Sequence, residues 1–427
     1  MARGIVPCSR RWSKVASIAL FVALVLAVSI AAGAQEKRLV VFAGEWNLLN
    51  ENGQWQALTE HFKAAHPGVE IEIVPFPGGV GDAAQHLVLL QASGVTVDVV
   101  AIHSSNFTQL LGGGLIQPIT EFYERDTTLD KDDLIPGLHL SYATPTDRYG
   151  LMMYLSPRAI SYNRTHLNEI GVGDVPETWT YDDMFDISRR ARVFAPDGRL
   201  LMGGWQHHWE SIFWHHNAFS EVLWAYGESY FNADATELTL HTPGARRVVN
   251  MIADGYRDGL LVQEGFEEGA ATFAIMGTWA YTDYAYLPFE VGVQRYPEGP
   301  AGSYNQPGSW AFGLSANAAE KDLAWEFIKF ASGEGMQKTF LKSGSSAPVR
   351  FSQFQSDEWL GFNRPAWDNI KAWEHSIANA TSLYTGAHGN DAIMLVGEIW
   401  QNVLLGDMSA DVFIETVKPL ADAILRR

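Results

Sequence analysis

The chain has very little cysteine, because Cys8 is the one thiol among its 427 residues. A single cysteine cannot form an intramolecular disulfide or supply the several thiolates of a structural zinc site. Cys8 also precedes a long apolar run of the kind that is removed on export. We therefore expect the exported chain to have no thiol nucleophile and to owe its stability to a hydrophobic core.

Positive charge is scarce as well. The sequence holds 30 lysine and arginine residues against 49 aspartate and glutamate residues, which gives a formal net charge of −19. An acidic surface of this kind repels nucleic acid and anionic membranes, so we exclude both as partners. A local pocket can still accept an anionic small molecule.

Long hydrophobic runs are limited to one, VASIALFVALVLAVSIA, which lies near the start of the chain. The basic residues before it are Arg3, Arg10, Arg11 and Lys14. Together with the small-residue stretch AAGAQ, this layout predicts a cleavable signal peptide over residues 1–34 and export to the periplasm. A membrane anchor is the alternative, but the Ala-x-Ala ending favours cleavage. No cysteine stands at the cleavage point, so the protein is not predicted to be a lipoprotein.

Common enzyme motifs are missing. The stretch FPGGVGD lacks the ending of a phosphate-binding loop, and no G-x-S-x-G elbow occurs. The acidic pairs Glu267–Glu268 and Asp182–Asp183 are adjacent in predicted helices, where their side chains point apart, unlike the facing carboxylates of glycoside hydrolases. We predict that the protein is not an enzyme, with a secreted glycan-active enzyme as the less favoured alternative.

Four histidines cluster in WQHHWESIFWHH: His207, His208, His215 and His216. They lack H-E-x-x-H spacing. If residues 205–216 form one helix, His208 and His215 share a face that could bind a metal. We favour the alternative that these side chains exchange hydrogen bonds in a polar groove, and we predict no metal and no cofactor.

Short apolar β-rich runs alternate with amphipathic helices after the leader. The runs RLVVFAG, VEIEIVPF, VDVVAI, YGLMMYL and SWAFGLSA predict strands, as do residues 271–277 and 290–296. Helices are predicted over 180–193, 211–226 and 243–258. This alternation predicts an α/β protein with helix-covered sheets, and its length favours two lobes.

Tryptophan recurs where a predicted strand ends or where glycine precedes it, at Trp46, Trp205, Trp209, Trp279 and Trp310. In α/β sheets, ligands bind beyond the carboxyl ends of the strands. Each of these tryptophans is individually compatible with a core, but the group favours an aromatic cleft. Sugar rings stack on aromatic faces, and sugar hydroxyls bond to neutral His, Asn and Ser side chains. The predicted ligand is therefore a mono- or oligosaccharide.

Five segments carry a family resemblance: GVTVDVVAIHSSNFTQLLGGGLIQPI, AISYNRTHLNEIGVGDVPETWTYDDM, FEEGAATFAIMGTW, GSWAFGLSANAAEKDLAWEFIKFASGEGMQ and SSAPVR. In this order they resemble the extracellular solute-binding proteins (family 1) of bacterial ABC importers, in the branch similar to maltose-binding protein. The third segment departs from the family pattern at Phe273, where methionine is usual. The resemblance covers nearly the whole chain after the leader.

This resemblance implies the two-lobed periplasmic binding protein fold (type II), in which each lobe is a helix-covered mixed sheet and crossing segments form a hinge. The implied N-terminal lobe is 35–157 and 313–346, and the C-terminal lobe is 158–312 and 347–427, with the ligand cleft between them. The implied function is delivery of a carbohydrate to an inner-membrane ABC permease by a monomer. Other solutes that family members bind, such as glycerol phosphates and polyols, remain alternatives.

The resemblance also implies candidate ligand contacts. Trp279 falls on the aromatic residue that stacks on sugar in maltose-binding-type members, and Tyr281, Tyr284 and Phe289 are expected to pack behind it. The other candidates are Glu45 and Trp46 on the first-strand loop, His103, Ser104 and Asn106 on the third-strand loop, Trp205 and Trp209 in the second lobe, and Trp310 on the cleft floor.

Overall fold

The structure is a computed structural model that describes residues 37–44, 53–135, 140–144, 146–207, 218–280, 284, 286–343, 346–360, 369–381, 386 and 388–427. Its strands are β1 (Lys37–Gly44), β2 (Val69–Phe76), β3 (Val99–His103), β4 (Ile116–Gln117), β5 (Gly150–Ser156), β6 (Arg158–Asn163), β7 (Val193–Phe194), β8 (Leu200–Met202), β9 (Trp205–Gln206), β10 (Leu261–Val262), β11 (Phe273–Gly277), β12 (Val291–Gln294) and β13 (Gly308–Ser315).

Its helices are α1 (Gln54–Ala65), α2 (Ala83–Ala92), α3 (Phe107–Gly112), α4 (Thr120–Arg125), α5 (Arg164–Glu169), α6 (Tyr181–Arg190), α7 (Ala218–Ala225), α8 (Pro243–Arg257), α9 (Lys321–Ala331), α10 (Glu334–Ser343), α11 (Asp357–Leu360), α12 (Ile370–Ala378), α13 (Gly389–Leu404) and α14 (Ala410–Leu425). Short 3-10 helices lie at Val80–Asp82, Leu140–Tyr142, Thr278–Ala280 and Phe351–Gln355. Among the residues described, no helix has the length and apolar character needed to cross a bilayer.

The first sheet has the order β2-β1-β3-β13-β4, and β5 also pairs with β13. The strands β1, β2 and β3 run parallel to one another, whereas β13 runs antiparallel to β3 and β5. From Leu39 onward β1 is buried on both faces, as expected for an apolar strand that helices cover on both sides.

The second sheet has the order β10-β9-β11-β6-β12. Here β6 is antiparallel to both of its neighbours, β11 and β12. Helices α6, α7, α8, α13 and α14 contribute apolar residues to the cluster on this lobe. The predicted fold class, two mixed sheets covered by helices, is confirmed.

A hydrophobic cluster contains residues of both lobes. It includes Met152 and Leu155 from β5 together with Val293 from β12 and Trp373 from α12. The sheets are therefore packed through a shared apolar region as well as joined through the chain.

Asp98 fixes the opposite end of the first sheet, at the start of β3. Its carboxylate accepts hydrogen bonds from the backbone N–H of Val40, at 2.9 Å, and from those of Ala319 and Glu320, at 3.0 Å each. These bonds tie β1 and the start of α9 to β3, so the aspartate of the family-like strand has a structural role here.

The sheets do not divide where the resemblance implies. Strand β13 lies wholly in the first sheet, so a boundary between residues 312 and 313 falls inside a strand. Ala347 bridges to Leu155 and Arg350 bridges to Leu134, which keeps the segment after residue 346 on the first lobe. The chain instead crosses between β5 and β6, between β12 and β13, and between α11 and α12.

Candidate ligand cleft

The two sheets meet at one edge, which we call the interlobe edge: the ends of β3, β5 and β11 and the starts of β6 and β13. One residue, Pro157, separates β5 from β6, and Gly277 at the end of β11 pairs with Arg158. In the first sheet, Gly308 at the start of β13 pairs with Ser156. The side-chain oxygens of Ser156 and Thr278 lie 2.6 Å apart and form a direct hydrogen bond between the lobes.

The loop after β3 presents the predicted residues His103, Ser104 and Asn106 at this edge. The backbone N–H of Ser104 donates to the carbonyl of Ser309 at 3.1 Å, which extends the pairing of β3 with β13 into the loop. Ser104 is half-buried, whereas His103 is only 4% exposed. The first sheet therefore positions this loop at the interlobe edge.

The imidazole of His103 has a defined orientation. Its Nδ1 accepts a hydrogen bond from the backbone N–H of Ser105 at 3.2 Å and lies 2.7 Å from the Ser105 hydroxyl. We infer that Nδ1 is unprotonated, which puts the proton of the neutral ring on Nε2. The ring packs edge-on against Trp310, with 4.8 Å between the ring centroids. Trp310 is 9% exposed and belongs to the core cluster of the first lobe.

Asn106 serves the loop itself. Its Oδ1 accepts from the backbone N–H of His103 at 3.0 Å, and its Nδ2 donates to the carbonyl of Val80 at 3.0 Å. The side chain is fully buried. The structure thus corrects the prediction of Asn106 as a ligand contact: because its amide already bonds inside the protein, it ties the loop after β2 to the loop after β3.

Trp279 is an exposed aromatic residue at the interlobe edge. It lies in the 3-10 helix after β11, next to Thr278 of the interlobe hydrogen bond, and it is 39% exposed. A Cβ at position 277 would overlap the indole ring, so the ring rests on a backbone that only glycine can provide. A tryptophan held in this way offers an accessible ring face at the place where the lobes meet.

The other rings of the segment around Trp279 separate into two groups. Tyr284 and Phe289 both pack on Phe266, with 5.5 Å between ring centroids in each case. Tyr286 is 88% exposed. Tyr281 lies outside the described residues.

Trp205 has a different environment from Trp279. Its side chain is 0% exposed and belongs to the core cluster of the second lobe, where its ring lies 6.2 Å from that of Tyr181. It begins strand β9 rather than a helix. The structure therefore corrects the placement of Trp205 in the cleft, because it is a core residue. The condition for a shared face of His208 and His215, one helix over residues 205–216, is not met, since Trp205 and Gln206 form a strand.

Three candidate contacts, Glu45, Trp46 and Trp209, lie outside the described residues, as do His208, His215 and His216. His207 is described and is 7% exposed. Within the described part of the chain, no three His, Cys, Asp or Glu side chains come together as a metal site. Asp182, Asp183, Glu267 and Glu268 are exposed, and Asp183 caps the start of α6.

The sequence patterns did not reveal one group of buried charges beside the cleft. Arg158 and Glu221 form an ion pair of 2.6 Å, and their side chains are 1% and 0% exposed. Burial raises the pKa of Glu221 to about 7, and the attraction of Arg158 opposes this shift. One signal could have indicated them: Arg158 begins the apolar run RAISYN and Glu221 lies within the apolar run AFSEVLWA, and charges in such runs need partners.

Comparisons with known proteins agree with this architecture. The sequence profile described as bacterial extracellular solute-binding protein matches residues 46–338. The chain belongs to this family. A binding protein of Brucella abortus (strain 2308) is 21% identical over 418 residues, which cover 94% of this chain and 96% of that protein.

Solved structures of other binding proteins share the fold. An ABC substrate-binding protein from Listeria monocytogenes, solved with cycloalternan, is 17% identical with a TM-score of 0.79 and covers 91% of this chain and 99% of its own. The GacH receptor of Streptomyces glaucescens, solved unliganded and with acarbose, is 20% identical with a TM-score of 0.74 and has the same coverage, 91% and 99%. At these identities the likeness establishes the two-lobed fold of the family.

Proposed function

We propose that this solute-binding protein captures a carbohydrate between its lobes and delivers it to an inner-membrane ABC permease. The observation that carries the proposal is Trp279, an accessible ring seated on Gly277 at the interlobe edge. Apolar faces of sugar rings stack on such aromatic faces. The Listeria and Streptomyces proteins, which share the fold, were solved with cycloalternan and with acarbose, and both ligands are carbohydrates.

The proposed binding surface combines this ring with neutral polar groups of the first lobe. His103 and Ser104 supply donors and acceptors at the end of β3, and Trp310 supports the His103 ring from the core. Neutral partners suit sugar hydroxyls because they leave no net charge buried with the ligand. Glu45, Trp46 and Trp209, which lie outside the described residues, complete the proposed set on the family resemblance alone.

The proposed mechanism is closure of the lobes about their three connections. A ligand that touches both lobes binds the closed state better than the open state and so shifts the population toward it. The Ser156–Thr278 hydrogen bond lies at the pivot of this motion. Small-angle scattering should therefore give a smaller radius of gyration with ligand than without it.

The proposed setting is the periplasm, reached through the leader of residues 1–34. The protein is proposed to act there as a monomer without a cofactor and to hand its ligand to the permease. Binding without chemistry fits the exposed positions of the acidic pairs Asp182–Asp183 and Glu267–Glu268.

Mass spectrometry of the compound released from natively purified protein tests the ligand class. We expect a mono- or oligosaccharide, and we expect calorimetry to detect heat with at least one maltodextrin such as maltotriose. Release of a glycerol phosphate or a polyol, together with no heat from any sugar tested, would contradict the carbohydrate proposal while leaving solute binding intact.

A further inference from the structure

A buried ion pair lies directly behind the interlobe edge. Arg158 is the first residue of β6, immediately after the first connection between the lobes, and Glu221 lies on α7. Their side chains are 2.6 Å apart and almost completely buried. Taking two charges out of water is costly, so a pair of this kind calls for an explanation other than stability alone.

The ion pair also bonds to the second connection, which runs from β12 to β13. Nε of Arg158 donates to the carbonyl of Gln306 at 2.6 Å, and the backbone N–H of Gln306 donates to Oε1 of Glu221 at 2.8 Å. Gln306 stands two residues before β13, where the chain returns to the first lobe. Arg158, Glu221 and Gln306 thus form a closed triangle of charge-assisted contacts, which are the stronger class of hydrogen bond. We call this triangle the hinge clamp.

Helix α12, which follows the third connection, also contacts Arg158. The Ser376 hydroxyl on this helix donates to the carbonyl of Arg158 at 2.7 Å. The Ser376 carbonyl in turn accepts from the side-chain amide of Asn305, next to Gln306. Arg158 therefore follows the first connection directly, bonds to Gln306 of the second, and accepts a hydrogen bond from the helix that follows the third.

The hinge clamp does not maximise the stability of the fold. Nη1 of Arg158 is buried and makes no hydrogen bond within the described residues, which costs free energy in a buried donor. Well-packed apolar residues often replace a buried ion pair without loss of stability. A planar guanidinium that bonds to a carboxylate and a carbonyl at once supplies directionality instead.

We propose that Arg158 and Glu221 are positioning residues that fix where the connections leave the second lobe and so limit the range of angles between the lobes. This inference rests on the proposed hinge, but it does not depend on which solute the cleft binds. Without the clamp, the connections can shift independently, and the distribution of interlobe angles becomes broader.

Distances between spin labels on the two lobes test the clamp without any ligand. Replacing Cys8 by serine leaves a cysteine-free chain, so labels at Val88→Cys on α2 and Leu405→Cys after α13 report one distance. Both native side chains are exposed, at 46% and 74%. Double electron–electron resonance at about pH 8, above the pKa of Glu221, then gives the distance distribution for each variant.

Three variants separate positioning from stability. Arg158→Lys keeps the charge but lacks the planar fork, and Glu221→Gln keeps the shape but lacks the charge. The double variant Arg158→Met/Glu221→Leu replaces the pair by apolar side chains, so its melting temperature should remain near that of the native chain. We expect a broader distribution than the native one in all three. The control is Asp422→Asn, which removes a 2.9 Å ion pair with Lys418 elsewhere in the second lobe and should leave the distribution unchanged.

An unchanged distribution in the double variant and in Arg158→Lys would overturn the proposal, and so would equal broadening in Asp422→Asn. Broadening confined to clamp variants supports it even where the melting temperature is native. A protein that shows this broadening but binds no carbohydrate would refute the proposed ligand and leave the clamp standing.

Discussion

The two lobes present different surfaces to the cleft at their shared edge. On the first lobe, Asn106 and Trp310 are buried, and the amide of Asn106 and the imidazole of His103 bond to their own loops. On the second lobe, Trp279 is 39% exposed and rests on a glycine. The first lobe therefore offers a preformed polar wall, and the second offers an accessible aromatic face. A ligand with hydroxyl edges and apolar ring faces matches this division.

The largest effect is expected in the second lobe, where the buried Trp205 is compared with the exposed Trp279. Because Trp205 is fully buried in the core, Trp205→Ala should lower the free energy of unfolding by about 3–5 kcal/mol. Urea unfolding measures this loss, and Trp205→Phe should recover part of it. If Trp205→Ala were stable but no longer bound ligand, Trp205 would be a ligand contact and not a core residue.

The lobes also differ in how they hold a buried carboxylate. Burial raises the pKa of Glu221 in the second lobe from 4.5 to about 7, against the attraction of Arg158. Burial alone would also raise the pKa of Asp126 in the first lobe, but hydrogen bonds from Lys329, Trp325 and Thr128 outweigh it and hold that pKa well below its usual range. The two carboxylates should therefore affect stability at different pH values.

The sign of each effect follows from proton binding. Between pH 4.5 and 7 the folded chain keeps the Glu221 proton that the unfolded chain loses, so the stability from this group falls as pH rises, by up to about 3 kcal/mol. Glu221→Gln should remove this pH dependence. The difference in free energy of unfolding between the variant and the native chain should therefore change between pH 4.5 and 7. The stabilisation by Asp126 is lost only in stronger acid. The effect of Asp126→Asn on stability should therefore be constant between pH 4.5 and 7. Urea unfolding at a series of pH values measures both, and parallel curves for native chain and Glu221→Gln would refute the raised pKa.

The sequence predicts most of the elements because their signals are local. The run VEIEIVPF predicts β2 with its observed bounds, Val69–Phe76. The sheet membership of β13 has no such signal, because it depends on pairing with His103 and Tyr154, which lie far away in the chain. An implied boundary can therefore fall inside a strand even when the strand itself is predicted well.

The candidate site is harder to predict for the same reason. Trp205 and Trp279 both follow a glycine-containing strand region, yet Trp205 is buried beside Tyr181 and Trp279 is exposed. Arg158 and Glu221 each stand out as charges in apolar runs, but they are 63 residues apart, and the sequence does not show that they pair. The local sequence pattern identifies unusual residues, but their burial and their partners depend on the tertiary packing.

Trp279→Ala tests the accessible side of the comparison. A partly exposed tryptophan should lose little stability when truncated, but as a stacking surface it should lose roughly 2 kcal/mol of binding free energy, about thirtyfold in Kd. Calorimetry with the sugar identified by mass spectrometry measures this change, and the melting temperature without ligand is the control. Trp279→Phe should recover part of the affinity because it keeps a ring face. A large drop in melting temperature with unchanged affinity would make Trp279 a core residue.

The smallest expected effect concerns a contact between the lobes that needs no ligand. Nδ2 of Asn390, at the start of α13, lies 3.3 Å from Oγ1 of Thr108 on α3 of the first lobe. A neutral hydrogen bond contributes about 1 kcal/mol, so Asn390→Ala should shift the ratio of closed to open protein about fivefold toward the open state. Spin-label distances between the lobes should lengthen without ligand, and affinity should fall by a similar factor, because the closed state then costs more to reach. Asn402→Ala is the matched control, since Asn402 lies on the same helix but bonds to Ile399 within the second lobe. Equal effects of the two variants would mean that α13 acts through its own stability, whereas an effect of Asn390→Ala alone would show that the lobes hold each other partly closed before any ligand arrives.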